Sequence, residues 1–135
     1  MKIQNTLHIL KKAYKEGYAI PAINVSNLET IKAVLEAADE LNASIILQLS
    51  EMQRSCHGYS YADFVEIIHI LAKGYSHGEY AIHLDHSESL EQCREAIEGG
   101  FSSVMYDGSS LSFKDNMNNT RKVKEICNNA YLEGE

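Results

Sequence analysis

His83-Leu84-Asp85-His86 puts two imidazoles and a carboxylate within four residues, the densest chemical cluster in the chain. In an extended strand His83 and Asp85 share a face while His86 takes the other, unless the strand has already turned. A neutral imidazole beside a carboxylate suits a borderline cation such as Zn²⁺, and the carboxylate can carry a proton. A catalytic zinc needs three protein ligands and an open position, and this tetrapeptide offers one or two in usable geometry. The alternative is that His83 is a buried strand histidine and Asp85 caps the helix that follows. Other apolar runs also close on polar residues: Asn24, then Gln48 and Ser50, then Asp107-Gly108-Ser109. Singly, each has a structural reading. Ser50 and Ser109 suit helix caps or turns, Asn24 an Asx turn, and Asp107-Gly108 a tight turn. The remaining histidines His8, His57, His69 and His77 form no HxH or HxxxH pair, and His69 lies among Ile67, Ile68, Ile70 and Leu71 as a packed residue would. No phosphate-cradling GxxxxGK[ST] or GxGxxG turn occurs.

These residues gain weight from the elements that carry them. Apolar periodicity alternates between helix and strand rhythms along the whole chain. Ile3, Leu7, Leu10 and Tyr14 predict a first helix stopped at Gly17. Tyr18 to Asn24 follows as a short strand, with Pro21 marking an early or irregular position. Ser26 and Glu29 have capping-box spacing ahead of a helix carried by Leu28, Ile31, Leu35 and Ala38. Ser44–Leu49 predicts a second strand, and Ser60 and Asp63 open a helix with Phe64, Ile67, Ile68 and Leu71 on one face. Tyr80–Leu84 and Val104–Tyr106 predict two further strands, each followed by a helix: Leu90, Cys93 and Ile97 mark one, and Val123, Ile126, Cys127 and Ala130 the other. An initial helix and four strand–helix units imply a parallel sheet with right-handed crossovers. Asn24, Ser50, Asp85 and Asp107 then fall on one rim, where helix N-termini also offer N–H groups to anions. Two architectures fit: a small open doubly wound sheet, or half of an eight-stranded barrel that takes about 250 residues when complete.

Composition narrows the class. The chain has 135 residues, 44% hydrophobic and 23% charged, which suits one globular domain. Twelve Lys and Arg against 19 Asp and Glu leave a net charge of −7, a poor balance for holding nucleic acid or anionic lipid. No apolar run is long enough for a membrane span, and the N-terminus lacks the apolar core of a signal peptide. Cys56, Cys93 and Cys127, without CxxC spacing, read as reduced thiols of a cytoplasmic protein.

Four segments together resemble a known family. Pro21-Ala-Ile-Asn-Val25, Ser44-Ile-Ile-Leu-Gln-Leu-Ser-Glu51, His83-Leu-Asp-His86 and Gly100-Phe-Ser-Ser-Val-Met-Tyr-Asp-Gly-Ser109 occur in that order. The helix Asn27–Ala38 lies between the first two. The chain is similar to the N-terminal half of a class II, metal-dependent ketose-bisphosphate aldolase of the fructose and tagatose group, over nearly its whole length. The resemblance implies an α/β TIM (β/α)8 barrel, of which this single truncated domain covers the initial helix and about four βα units. It implies a lyase that reversibly cleaves a ketose 1,6-bisphosphate to dihydroxyacetone phosphate and glyceraldehyde 3-phosphate. By the same resemblance Asp85 is the catalytic acid/base, His86 the first Zn²⁺ ligand and Asp107 the acidic residue near the metal. Asn24 and Ser50 belong to the substrate-binding rim. Expected partners are a phosphorylated sugar and, at full length, further copies in a dimer or tetramer; neither nucleic acid nor membrane is expected.

The resemblance assigns two more zinc histidines, a metal-site glutamate and the phosphate loops to the second half of the barrel. On this reading the chain stops just before a fifth strand, Glu133 and Glu135 are not that glutamate, and the isolated fragment is inactive. A non-catalytic remnant or binding module that keeps the half-barrel is the alternative. A phosphoacceptor domain using Asp85 or Asp107 fits less well, because Asn24 stands where an acidic pair is needed and the rim has no lysine.

Overall fold

A computed structural model describes all residues 1–135. Five parallel strands form the body of the sheet in chain order: β2 (Ala22–Asn24), β3 (Ser44–Ser50), β4 (Glu79–Ser87), β5 (Ser103–Tyr106) and β6 (Tyr131–Gly134). A two-residue strand, β1 (Lys2–Ile3), pairs with the start of β4. Sequential order with every neighbour parallel is the topology of a barrel arc, not of a doubly wound sheet, whose order reverses at a switch point. No helix is long and apolar enough to cross a membrane.

The sheet is buried differently on its two faces. Ile45, Leu47, Leu49, Tyr80, Ile82, Leu84, Val104 and Tyr106 point outward into a core of 22 buried residues. The helices α2 (Leu28–Glu40), α4 (Tyr61–Ala72), α5 (Leu90–Glu98) and α6 (Phe113–Ile126) cover it. On the opposite face only Ile9, Ile46 and Ala81 form a small apolar cluster, closed by α1 (Thr6–Glu16). Apart from Met105 and Ala22, the other inward strand residues are polar. Asn24, Gln48, His83, Ser103 and Tyr131 occupy one register row across all five strands. A complete barrel usually fills this space with branched aliphatics, so polar residues here need a reason beyond packing.

The chain does not stop short of a fifth strand, because β6 pairs with β5 from Ser103↔Tyr131 to Tyr106↔Gly134. Only Leu132 of β6 packs against the outer core while Glu133 faces inward, so no apolar run announces it. Ile3 lies in β1, and α1 starts at Thr6 behind the cap Asn5, whose side chain accepts from Leu7 N–H. Its buried stripe is Thr6, Ile9 and Ala13, while Leu7 and Tyr14 are exposed. This helix covers the sheet's inner face, so its phase follows a polar floor rather than the outer core. Gly17 ends it in the left-handed conformation expected of a C-terminal glycine. Asn27, not Ser26, caps α2, in a reciprocal pair with Thr30. A further helix, α3 (Glu51–His57), follows β3 directly, capped by Ser50 and Gln53.

Candidate active site at the strand ends

β4 runs three residues past its apolar body, and there its register against β5 shifts between Leu84 and Ser87. His86 sits inside the bulge with φ +48°, a left-handed conformation uncommon outside glycine. The twist breaks the alternation that would send His86 away from Asp85, and its Nδ1 lies 2.8 Å from Asp107 Oδ2. Strained backbone of this kind persists where surrounding structure over-determines it, and functional sites are where it collects.

Asp85 is held on both oxygens by amides. Asn24 Nδ2 donates to Oδ2 at 2.8 Å and Gln48 Nε2 to Oδ1 at 3.1 Å. Ser50, in register with Asp85, already uses its hydroxyl to accept from Gln53 N–H as the cap of α3. Asp107 accepts from the Ser109 hydroxyl and amide on Oδ1 and from His86 on Oδ2. These donors, Ser109 foremost, lower its carboxyl to about 2, and Asp107 in turn raises His86 above the ordinary imidazole value. The four sequence-predicted strand ends therefore lie on one rim. Asn24 meets Asp85 directly, Asp107 meets His86, and Ser50 stands beside them as a cap.

Glu135 joins this cluster, contrary to the expectation that set it aside. Its Oε2 is 3.5 Å from His86 Nδ1, and one ligand atom each from His86, Asp107 and Glu135 lie within 4.8 Å of one another. Gly108 N–H and Asn116 Nδ2 both donate to the Glu135 carbonyl, at 3.0 and 2.8 Å. The two-residue period Tyr131, Glu133, Glu135 is the signal that would have placed it on the inner face. Gln48, seen only as a strand end, proves to be a direct partner of Asp85. A row below, His83 is 3% exposed, with Nδ1 2.7 Å from Ser103 Oγ. Burial pushes its imidazolium down to about 4.

The family of fructose-bisphosphate aldolase class-II matches this chain over residues 4–135. The chain belongs to that family. A Helicobacter pylori fructose-bisphosphate aldolase is 39% identical over 122 residues, covering 90% of this chain and 39% of the relative. A sulfofructosephosphate aldolase from Alkalicoccus urumqiensis is 36% identical, over 94% of this chain and 43% of that protein. The crystal structure of a Campylobacter jejuni fructose-bisphosphate aldolase superposes with a TM-score of 0.82 at 27% identity, covering 98% of this chain and 46% of that one. This class II aldolase chain thus spans about two fifths of the curated relatives named here, and it forms part of a TIM barrel. His86, Asp107 and Glu135 suit a divalent cation, since one imidazole and two carboxylates match the nitrogen and oxygen donors that zinc accepts.

Proposed function

We propose that this chain supplies the N-terminal part of a metal-dependent ketose-bisphosphate aldolase acting on fructose or tagatose 1,6-bisphosphate. The observation that carries the reading is an oriented carboxylate, Asp85, next in sequence to a histidine–carboxylate cluster on the same rim. Retro-aldol cleavage needs a base for the hydroxyl proton at the breaking bond and an electron sink beside the ketose carbonyl. Zinc, when held by His86 with Asp107 and Glu135 nearby, supplies that sink as an electrophile. Asp85 takes the hydroxyl proton as the carbon–carbon bond breaks and returns it in the condensation direction. Asn24 and Gln48 fix both of its oxygens, so proton transfer needs no reorientation of the carboxylate. Asn24 and Ser50 line the place where the sugar lies. Lys73 caps the end of α4 and Lys122 lies in the second half of α6, both away from the strand ends.

The test uses the intact protein. Dihydroxyacetone phosphate release from fructose 1,6-bisphosphate should be abolished by a chelator and restored by zinc; undiminished cleavage after metal removal would overturn the reading. The 135-residue chain alone should not turn over, because one histidine and its carboxylates do not enforce a tetrahedral site. Full activity of that chain would refute this second point.

A further inference from the structure

Directly beneath the rim is a group that the proposed reaction does not use. His83 Nε2 is buried and has no hydrogen-bond partner, and the nearest carboxylate oxygen, Glu133 Oε2, is 3.7 Å away. Both residues line a hollow of about 340 Å³ on the inner face, with Gln48 and Tyr131. On its other side His83 ends a chain of three hydroxyls. Ser102 Oγ lies 2.9 Å from Thr6 Oγ1, which lies 2.7 Å from Ser103 Oγ, which lies 2.7 Å from His83 Nδ1. Thr6 and Ser103 are both buried.

The proton positions follow from counting donors. Each hydroxyl has one proton, so the chain runs wholly toward His83 or wholly away from it. Running away, it would leave a bare Nε2 lone pair facing the Glu133 carboxylate, acceptor against acceptor. Running toward His83, Thr6 donates to Ser103 and Ser103 to Nδ1, which leaves an N–H at Nε2 to face the carboxylate. The Ser102 hydroxyl lies 2.9 Å from the Ile82 carbonyl, which also takes the Ser102 amide at 3.0 Å, so its proton has an acceptor in either direction and the Nε2–Glu133 contact decides. Nε2 then carries the proton and points it at the carboxylate.

We propose that His83 is a positioning residue whose Nε2–H donates to Glu133 and so ties β6, with Glu135 two residues on, to β4 from inside the barrel. The benefit is specific to this strand. β6 is four residues long and pairs only with β5, yet its Glu135 must sit 3.5 Å from His86 on β4. A bond from β4 to Glu133 joins the two strands across the intervening β5. The hydroxyl chain continues the tie to the first turn of α1, which covers the same face.

This inference rests on the metal-site reading in one arm of its test and is independent of it in the other. In the intact protein with ¹⁵N-labelled histidine, His83 should be the Nε2–H tautomer at neutral pH; a protonated Nδ1 in the neutral ring would overturn the proposal. In the second arm zinc alone is titrated into the metal-free protein. His83→Leu and Glu133→Ala should each weaken zinc by about 10- to 100-fold, as loss of a group supporting a metal site does. The double variant should lose no more than either single one, and His83→Gln, whose amide can still donate, should recover most of the loss. Additive losses, or none, would refute the tie. Should His86→Ala also leave zinc affinity unchanged, the metal-site reading fails, and the tautomer alone judges the bond.

Discussion

Acidification should unfold this protein partly through one buried imidazole. His83 is 3% exposed, and desolvation of its charged form outweighs the attraction of Asp85, leaving its folded value at about 4 against an ordinary 6.5. Because the folded value is the lower, the unfolded chain binds the proton first as pH falls. His83 thus contributes its full stability above about 6.5 and loses it progressively toward about 4. The gap corresponds to a ceiling of about 3 kcal/mol. Integrated from about pH 7 to about pH 5, it removes about 2 kcal/mol of folding free energy. Urea denaturation of the intact protein and of His83→Gln at both pH values isolates the effect, since glutamine does not titrate. The wild type should lose about 2 kcal/mol more than the variant over this interval. Equal losses would show that His83 is solvated or already charged when folded, and the argument from burial would fall.

Asp85→Asn should lower kcat for ketose-bisphosphate cleavage by about 10²- to 10⁴-fold while zinc content, read by metal analysis, stays constant. His86→Ala should instead lose the metal, with part of the activity returning in excess zinc. Ile9→Ala, at a fully buried position on the inner face, should cost about 2–5 kcal/mol in urea denaturation, whereas the exposed Tyr14→Ala should stay within about 0.5 kcal/mol. A β-carbon on Gly108 would meet Asn116 Oδ1 at 2.3 Å, so Gly108→Ala should displace the amide that holds the Glu135 carbonyl, destabilise by about 1–3 kcal/mol and weaken zinc binding measured by titration.

The outer half of this fold is legible because its chemistry is simple. β3, β4 and β5 read as strands from Ile45-Ile46-Leu47, Ala81-Ile82 and Val104-Met105, whose outward residues enter one large core. The inner face is harder, since polar residues there serve a site and erase the periodicity that marks an element. Thr6 is buried because of Ser102 and Ser103, and no apolar stripe could have set the phase of α1 correctly. β6 is hidden for the same reason, with Glu133 at its inward position and Glu135, one residue past its end, in the same period. Asp85, His86, Asp107 and Asn24 read from the sequence as strand ends, yet the contact between His86 and Asp107 depends on a left-handed backbone at His86. Residue type alone does not announce that conformation. Glu135, directly after β6, is hidden with it.

The unequal burial of the two faces also bears on the order in which the chain folds. A nucleus needs apolar surface that can desolvate before distant polar partners have found each other. Only the outer layer offers this: β3, β4 and β5 with α4 and α5 bury Leu47, Phe64, Ile68, Ile82 and Val104 completely. The inner hydroxyl chain gains little until α1 has docked, because each donor must exchange water for one specific acceptor. The rim and β6 should therefore consolidate last and open first. Amide exchange should be slowest through Ile45–Leu49 and Ala81–Leu84 and fastest at Lys2–Ile3 and Tyr131–Gly134. Glu133 and Glu135 would then sit on and just past the least protected strand, ordering after the scaffold that receives them.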